Sequence, residues 1–532
     1  MKLKVLILLA GSFIASSAFA APGDLDPTFN GSGIKFTNFS TFNSITFPTN
    51  ILAVQADGKI LAGASTNCPG VGACISIFRF NPNGSADTTF GIAGRADLSS
   101  SVSGVSEIFG ITLQQDGKIL ATARAMNASQ TKFIGALVRL NVNGSLDQTF
   151  GGSGIVKNDM TYDVYSTSVA VQPDGKILSG GYVVYSSAQT GTRYAWAVAR
   201  NNADGSLDTS FNQSGTLILD PTNAGYSLLK SIMAQPDGKI ILAGHSIDTA
   251  TPNTAAFALV RLSSDGTRDT GFGSNGIVLI SMPSTTQFMV DAALQPDGKV
   301  VMMGMRGGTN LVLARVDENG QPDASFGANG VALYPGRVVN GNAPGSILPL
   351  ADGRFFVGGA GMNGAADFAV ARYNSDGSID APLNVFGKRE SVLGSFWGSG
   401  GTAVAAGTSG WDHSMVLDAA GRVLVAGKTS PTNTLALARF QSDASPYASI
   451  SGTVRTAGGL PIRNAYVTLS GGSLSEPVTA LTNNLGIYQF TNLPVTETYT
   501  VTATAKRFRF AAGERVVMLN AETENFDFSA NQ

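Results

Sequence analysis

Histidine, cysteine and charge are all scarce in this chain of 532 residues. It has two histidines, two cysteines and 14% charged side chains, where soluble domains usually carry about 25%. The histidines, His245 and His413, read as loop residues rather than general bases. No G-x-S-x-G, H-E-x-x-H or P-loop segment occurs. Two cysteines with no histidine nearby are a poor zinc set. We therefore expect no metal and no cofactor. A formal net charge of −2 supplies no global field for nucleic acid or anionic lipid. Beyond the first twenty residues no apolar run approaches the length of a membrane span. The expectation is a soluble monomer with no transmembrane segment and no nucleic-acid partner.

The first twenty residues read as an export signal. Lys2 and Lys4 precede the short apolar run Val5 to Ala15, and Ala18-Phe19-Ala20 fits a small-x-small cleavage site. Residues 1–20 are thus expected to be removed after Ala20, leaving a secreted or periplasmic protein. In an oxidising compartment Cys68 and Cys74, within the segment CPGVGAC, are expected to form one local disulfide.

Glycine is abundant, at 64 residues, and much of it sits in a repeat. An Asp-Gly-Lys turn recurs at Asp57-Gly58-Lys59, Asp116-Gly117-Lys118, Asp174-Gly175-Lys176, Asp237-Gly238-Lys239 and Asp297-Gly298-Lys299. It returns as Asp352-Gly353-Arg354 and, degraded, as Ala420-Gly421-Arg422. The spacing is about 60 residues, a period in the range of repeat architectures. Short Val, Ile and Leu runs flank each turn, as in VAVQPDGKILSGG, and predict a strand hairpin closed by a left-handed Gly. A third strand follows, ending near Arg79, Arg139, Arg200, Arg261, Arg315, Arg372 or Arg439. A Leu-Asp-x-x-Phe type segment comes next, with Asp87, Asp147, Asp208, Asp269, Asp323 and Asp380, before a fourth apolar run.

Four short strands per unit, seven times over, predict a seven-bladed β-propeller over residues 21–445. The seventh unit ends at Arg439-Phe440 without its Leu-Asp-x-x-Phe segment, and the mature N-terminus begins with one, at Leu25-Asp26-Pro27-Thr28-Phe29. The N-terminal segment is therefore expected to close the ring on the seventh blade. On these two motifs the chain resembles the bacterial delta-60 repeat proteins from about Gly23 to Gln441. That resemblance implies an exported propeller and no particular reaction.

From residue 446 to 532 the pattern changes to alternating apolar residues between Gly, Pro and Asn turns, predicting an antiparallel β-sandwich. This segment resembles the carboxypeptidase regulatory-like domains, which have an Ig- or transthyretin-like sandwich. The resemblance implies an accessory domain, and no peptidase accompanies it.

Each repeated motif has a plain structural role to weigh against a chemical one. Asp-Gly-Lys could suggest calcium or phosphate, but Asp and Gly both have jobs in the turn. One carboxylate per unit also falls short of the six to eight oxygens calcium takes. The repeated Arg is expected to pair locally with a turn Asp, and the repeated Phe to wedge between blades. Strand alternation puts the two constant motifs on one face. The variable connections, such as Asn67 to Ala73 and Ser186 to Arg193, fall on the other. A variable face suits recognition, although drift on an unconstrained surface would look the same. Its most distinctive loop, Lys388 to Trp411, carries Phe396, Trp397 and Trp411, with His413 just beyond. These four are the candidate ligand-binding residues, for stacking on sugar or anchoring a protein, unless the aromatics are buried against the sandwich. The function expected is a non-catalytic exported interaction or adhesion module for an extracellular glycan or protein. The alternatives are a polysaccharide-acting enzyme with carboxylates converging at the pore, or a scaffold of an envelope assembly.

Overall fold

The computed structural model describes residues 25–26, 28–37, 51–68, 72–99, 104–187, 191–222, 225–248, 254–281, 287–306, 310–335, 344–360, 368–380, 413–428, 435–440, 447–472, 474, 476–494, 497–510, 512–519 and 526–531. They fall into two compact units, Met1–Gln441 and Ser442–Gln532. Apart from one 3-10 turn at Phe211–Gln213, all their regular structure is β. Among the described residues no helix is long and apolar enough to cross a membrane.

The described strands of the first unit form seven antiparallel sheets. Asp163–Val171, Ile177–Ser187, Gly191–Asn201 and Thr216–Leu219 make up one of them. Its middle strands are covered on both faces, so Ala195 to Ala199 are all buried and the run is continuously apolar rather than alternating. The Asp-Gly-Lys turn forms as expected. Gly175 has φ +84°, its N–H donates to Gln172 O at 2.9 Å, and Lys176 N–H donates to Asp174 Oδ1 at 3.1 Å. The sheet of Pro344–Pro349, Phe355–Ala360 and Phe368–Tyr373 has three described strands.

The first strands of consecutive sheets pack side by side in chain order. Small polar side chains tie them together. Ser168 Oγ accepts Ile232 N–H, Ser231 Oγ accepts Ala292 N–H, and Asp291 Oδ2 accepts Ile347 N–H, each at 3.1 Å. Ser414 Oγ accepts Ile51 N–H and Leu52 N–H at 3.1 and 3.2 Å, so the last sheet is tied to the first in the same way. The last sheet is made from both ends of the repeat region. Ile34–Phe36 pairs antiparallel with Leu435–Phe440, Ile34 opposite Ala438, alongside Val423–Lys428 and His413–Leu417.

The second unit is a sandwich of two four-stranded sheets. Ile450, Val454, Val467, Leu469, Tyr499, Val501 and Phe528 are among its core residues. The expectation of a purely antiparallel sandwich is corrected at one place: Tyr447–Thr456 and Phe528–Asn531 pair in parallel. The chain crosses to the second sheet, where it forms Glu514–Leu519, and re-enters the first sheet running in the original direction.

Candidate functional site

On the turn face the two repeated motifs meet. In all seven sheets the repeated Arg donates through Nε to an Asp Oδ2, at 2.7 to 2.9 Å. In six of them that Asp comes from the Leu-Asp-x-x-Phe type segment of the same repeat, as in Arg200 with Asp208. In the seventh, Arg439 takes Asp26 from the N-terminal segment. The Lys or Arg of the turn reaches the same carboxylate, as in Lys176 with Asp208 at 2.9 Å and Arg422 with Asp26 at 2.9 Å. The carboxylate's other oxygen closes a small turn on itself. Asp208 Oδ1 accepts the N–H and hydroxyl of Ser210, and Asp26 Oδ1 those of Thr28.

Burial alone would raise the Asp208 carboxyl. The hydrogen bonds from Ser210 and Lys176 and the Arg200 charge instead hold it far below the usual carboxylate range. Asp87 and Asp147 are held down for the same reasons. These carboxylates are fixed, ionised and fully partnered, which suits a structural anion and not a general acid.

The Arg does more than the expected local pairing. Its Nη1 donates to a backbone carbonyl of the following repeat: Val142 for Arg79, Ala203 for Arg139, Ser264 for Arg200, and Glu318 at 2.6 Å for Arg261. Its guanidinium also lies 4.3 to 4.9 Å from the repeated Phe ring in six sheets. That Phe is completely buried and wedges under the next repeat's turn, as expected. A Cβ on Gly205 would lie 3.0 Å from the Phe150 ring, and φ there is +92°, so only Gly fits. The junction from last sheet to first repeats the pattern. Phe29 lies under Gly84, Arg439 Nη1 donates to Pro82 O, and Asn30 N–H donates to Asn83 O at 2.7 Å.

Six segments, residues 55–90, 114–150, 172–211, 235–272, 295–326 and 350–381, match the model of a β-propeller domain of unknown function, DUF5122. Residues 449–531 match the carboxypeptidase regulatory-like domain. The chain carries six DUF5122 repeats and a carboxypeptidase regulatory-like domain. The stretch with the degraded Ala420-Gly421-Arg422 turn is not among the matched repeats. No curated protein matches this chain in sequence.

Among solved structures it resembles a protein of unknown function from Dyadobacter fermentans at 12% identity, covering 77% of this chain and 99% of that one, with a TM-score of 0.39. It resembles an ulvan lyase, a polysaccharide lyase, at 8% identity over 77% and 96%, with a TM-score of 0.42. It also resembles PorZ, a surface component of the Porphyromonas gingivalis type-IX secretion system, at 8% identity and a TM-score of 0.38. This chain spans 60% of PorZ and 93% of it is covered in return.

Of the residues singled out in the sequence, Cys68 and Cys74 form the expected disulfide, with Cα atoms 5.8 Å apart at the tip of the hairpin Ile60–Cys68 and Gly72–Phe80. Phe396, Trp397 and Trp411 lie outside the described residues. His413 opens the strand His413–Leu417, where its backbone pairs with Gly427. The loop assignment fails for both histidines. His245 lies within the strand Ile240–Asp248, fully buried and edge-on to Phe288 at 5.4 Å. Burial first, and the Lys230 charge second, push its imidazole down to about 3. It is a neutral core residue at ordinary pH.

Sequence reasoning missed the polar ties between first strands. Their signal was present: the sixth residue before the turn's Asp is Ser168, Ser231, Asp291, Ser346 or Ser414 in five of the repeats.

Proposed function

We propose that this protein is an exported, non-catalytic interaction module: a closed seven-bladed ring whose variable face binds an extracellular glycan or protein. One observation carries the reading. On the turn face the chemically capable side chains are consumed in fastening repeat to repeat, as the Arg200–Asp208–Lys176 cluster illustrates. That face has no unused carboxylate–cation machinery among these clusters, so recognition falls to the variable connections. Closure of the ring is supported by the junction from last sheet to first, which carries an Arg–Asp pair and a Phe wedge of the kind found at other junctions, and a Ser tie like those of Ser168 and Ser231.

Carboxylates on the described first strands fit poorly with an enzyme. They are Glu107, Asp163 and Asp291. Glu107 is bridged to Arg124, Asp163 accepts Phe133 N–H at 2.7 Å, and Asp291 is fully engaged in hydrogen bonds. Export rests on the signal-like residues 1–20, and N-terminal sequencing of the processed protein should begin at Ala21.

The recognition site proposed from the sequence is the Lys388 to Trp411 insertion, with Phe396, Trp397, Trp411 and His413. The test is a glycan array and a surface-protein pull-down with the processed chain, alongside the Trp397→Ala and Trp411→Ala variants. Loss of binding at an unchanged melting temperature supports the insertion as the site. Equal loss of binding and stability would make these aromatics packing residues.

A further inference from the structure

The turn-face fastening has two further bonds at most junctions and lacks both at one. The first comes from the Gln before the turn, whose Oε1 accepts the Arg Nη1. Gln55 takes Arg79, Gln114 takes Arg139, Gln172 takes Arg200 and Gln295 takes Arg315, at 3.4 to 3.5 Å. The second comes from the hydroxyl two residues after the paired Asp, which accepts the Arg Nη2. Thr89, Thr149, Ser210 and Ser325 do this at 3.2 to 3.3 Å. At the junction from last sheet to first, Thr28 accepts Arg439 Nη2 at 2.9 Å, and Asp418 lies 3.7 Å from Arg439 Nη1.

The fourth repeat, with the turn Asp237-Gly238-Lys239, has neither bond. Gly271 stands where the others have Ser or Thr, so Arg261 Nη2 meets no hydroxyl there. Asp269 Oδ1 accepts only the Gly271 N–H, at 3.1 Å, where its counterparts accept an N–H and a hydroxyl. Gln235 is buried and its Oε1 has no partner. The Asp269 side chain is 15% exposed, against 4 to 10% for Asp87, Asp147, Asp208 and Asp323, so water has readier access to this cluster.

The other end of the same junction is also poorly tied. His245 is buried edge-on to Phe288 of the fifth repeat, and neither ring nitrogen makes a well-formed hydrogen bond. Thr122 Oγ1 and Trp196 Nε1 are buried without partners as well, but in repeats whose turn-face cluster is complete. The chain just beyond Asp380 lies outside the described residues, which leaves six junctions whose cluster can be followed to its Phe.

We propose that the fourth and fifth repeats meet at a joint that opens to solvent on its own while the other five of these junctions stay shut. It rests on the reading of a closed ring. Hydrogen bonds to a charged group are among the stronger ones, and a buried acceptor left unpaired is costly until water reaches it. Both facts favour opening here over opening at the neighbouring junctions. Phe272, which lies under Gly320 of the fifth repeat, is the first buried ring that such opening uncovers. Phe257, Met289 and Met302 belong to the same apolar cluster.

Each junction carries one equivalent amide that reports on it. Gly91 N–H donates to Asn143 O, Gly151 to Asp204 O, Asn212 to Asp265 O, Gly273 to Asn319 O, Gly327 to Asp376 O and Asn30 to Asn83 O, all at 2.7 to 2.9 Å. The test is hydrogen exchange of the processed full chain at neutral pH, with protection at these six amides corrected for intrinsic rate. Gly273 should exchange about tenfold faster, or more, than Gly91, Gly151, Asn212 and Gly327. Gly271→Ser supplies the missing hydroxyl. Its Cβ would lie 3.4 Å from Asp269 Oδ1, an ordinary contact. This variant should slow Gly273 to the level of its counterparts and raise the melting temperature. Ser210→Gly should do the reverse in the third repeat, speeding Asn212 and leaving Gly273 as it was. Equal protection at Gly273 and its four counterparts overturns the proposal, as does unchanged exchange at Gly273 in Gly271→Ser. If Asn30 exchanges like a free amide, closure of the ring fails instead, and Gly273 against the other four still decides the joint.

Discussion

Asp291 should make the protein less stable as pH rises through the weakly acidic range. It is the only acid among the four polar ties; the others are serines. Its side chain is 4% exposed as a residue and accepts Ser231 Oγ–H and its neighbour Ala292 N–H on Oδ1, both at 2.8 Å, and Ile347 N–H on Oδ2. Burial raises its carboxyl to about 6 despite these hydrogen bonds.

The folded value thus lies above the unfolded one. The folded protein holds the proton more tightly, and a penalty develops as pH climbs from about 4 to about 6. A shift of about two units corresponds to roughly 3 kcal/mol. The perturbation is Asp291→Asn, compared with the parent by urea unfolding at pH 4 and at pH 7. Other carboxylates titrate equally in both proteins and cancel in the difference. Whatever the variant loses in hydrogen bonding, it should gain about 3 kcal/mol on the parent between the two pH values. A difference that stays flat, or moves against the variant, would refute the reasoning.

Asp208→Asn should cost about 3 to 5 kcal/mol at neutral pH, because Arg200 is left buried without its anion; thermal melting measures this. The Asp208 carboxyl is depressed in the fold, so its contribution is present above the unfolded value of 3.8 and fades as pH falls toward the lower folded value. The parent-to-variant gap should therefore shrink in strong acid. Phe150→Ala removes a fully buried wedge and should cost about 3 to 5 kcal/mol by chemical unfolding. Cys68→Ser with Cys74→Ser opens a loop of six residues' separation and should cost only about 2 kcal/mol. The parent should show no free thiol by mass spectrometry without reductant.

Local chemistry was legible in the sequence, and contacts between repeats mostly were not. Asp174-Gly175-Lys176 specifies its turn through neighbouring backbone groups, so three residues suffice to predict it. Cys68 and Cys74 are close enough in sequence for their pairing to follow. The partner of Arg439 was also foreseeable, because a missing motif at one end and a spare one at the other leave Asp26 as the match. The reach of Arg200 Nη1 to Ser264 O is different. It depends on the angle at which successive sheets pack, which no single repeat encodes. His245 was misread because its strand continues beyond the shared apolar positions, where polarity stops marking strand ends.

The central claim is that the N-terminal segment completes the last sheet and so closes the ring. A chain beginning at Thr37 lacks Asp26, Phe29 and the strand Ile34–Phe36, leaving Arg439 without the carboxylate it holds at 2.7 Å. Differential scanning calorimetry of this chain beside the processed parent measures the consequence directly. The account predicts that the single cooperative transition of the repeat region is lost, or broadens and falls steeply in temperature. An unchanged transition in the shortened chain would contradict it.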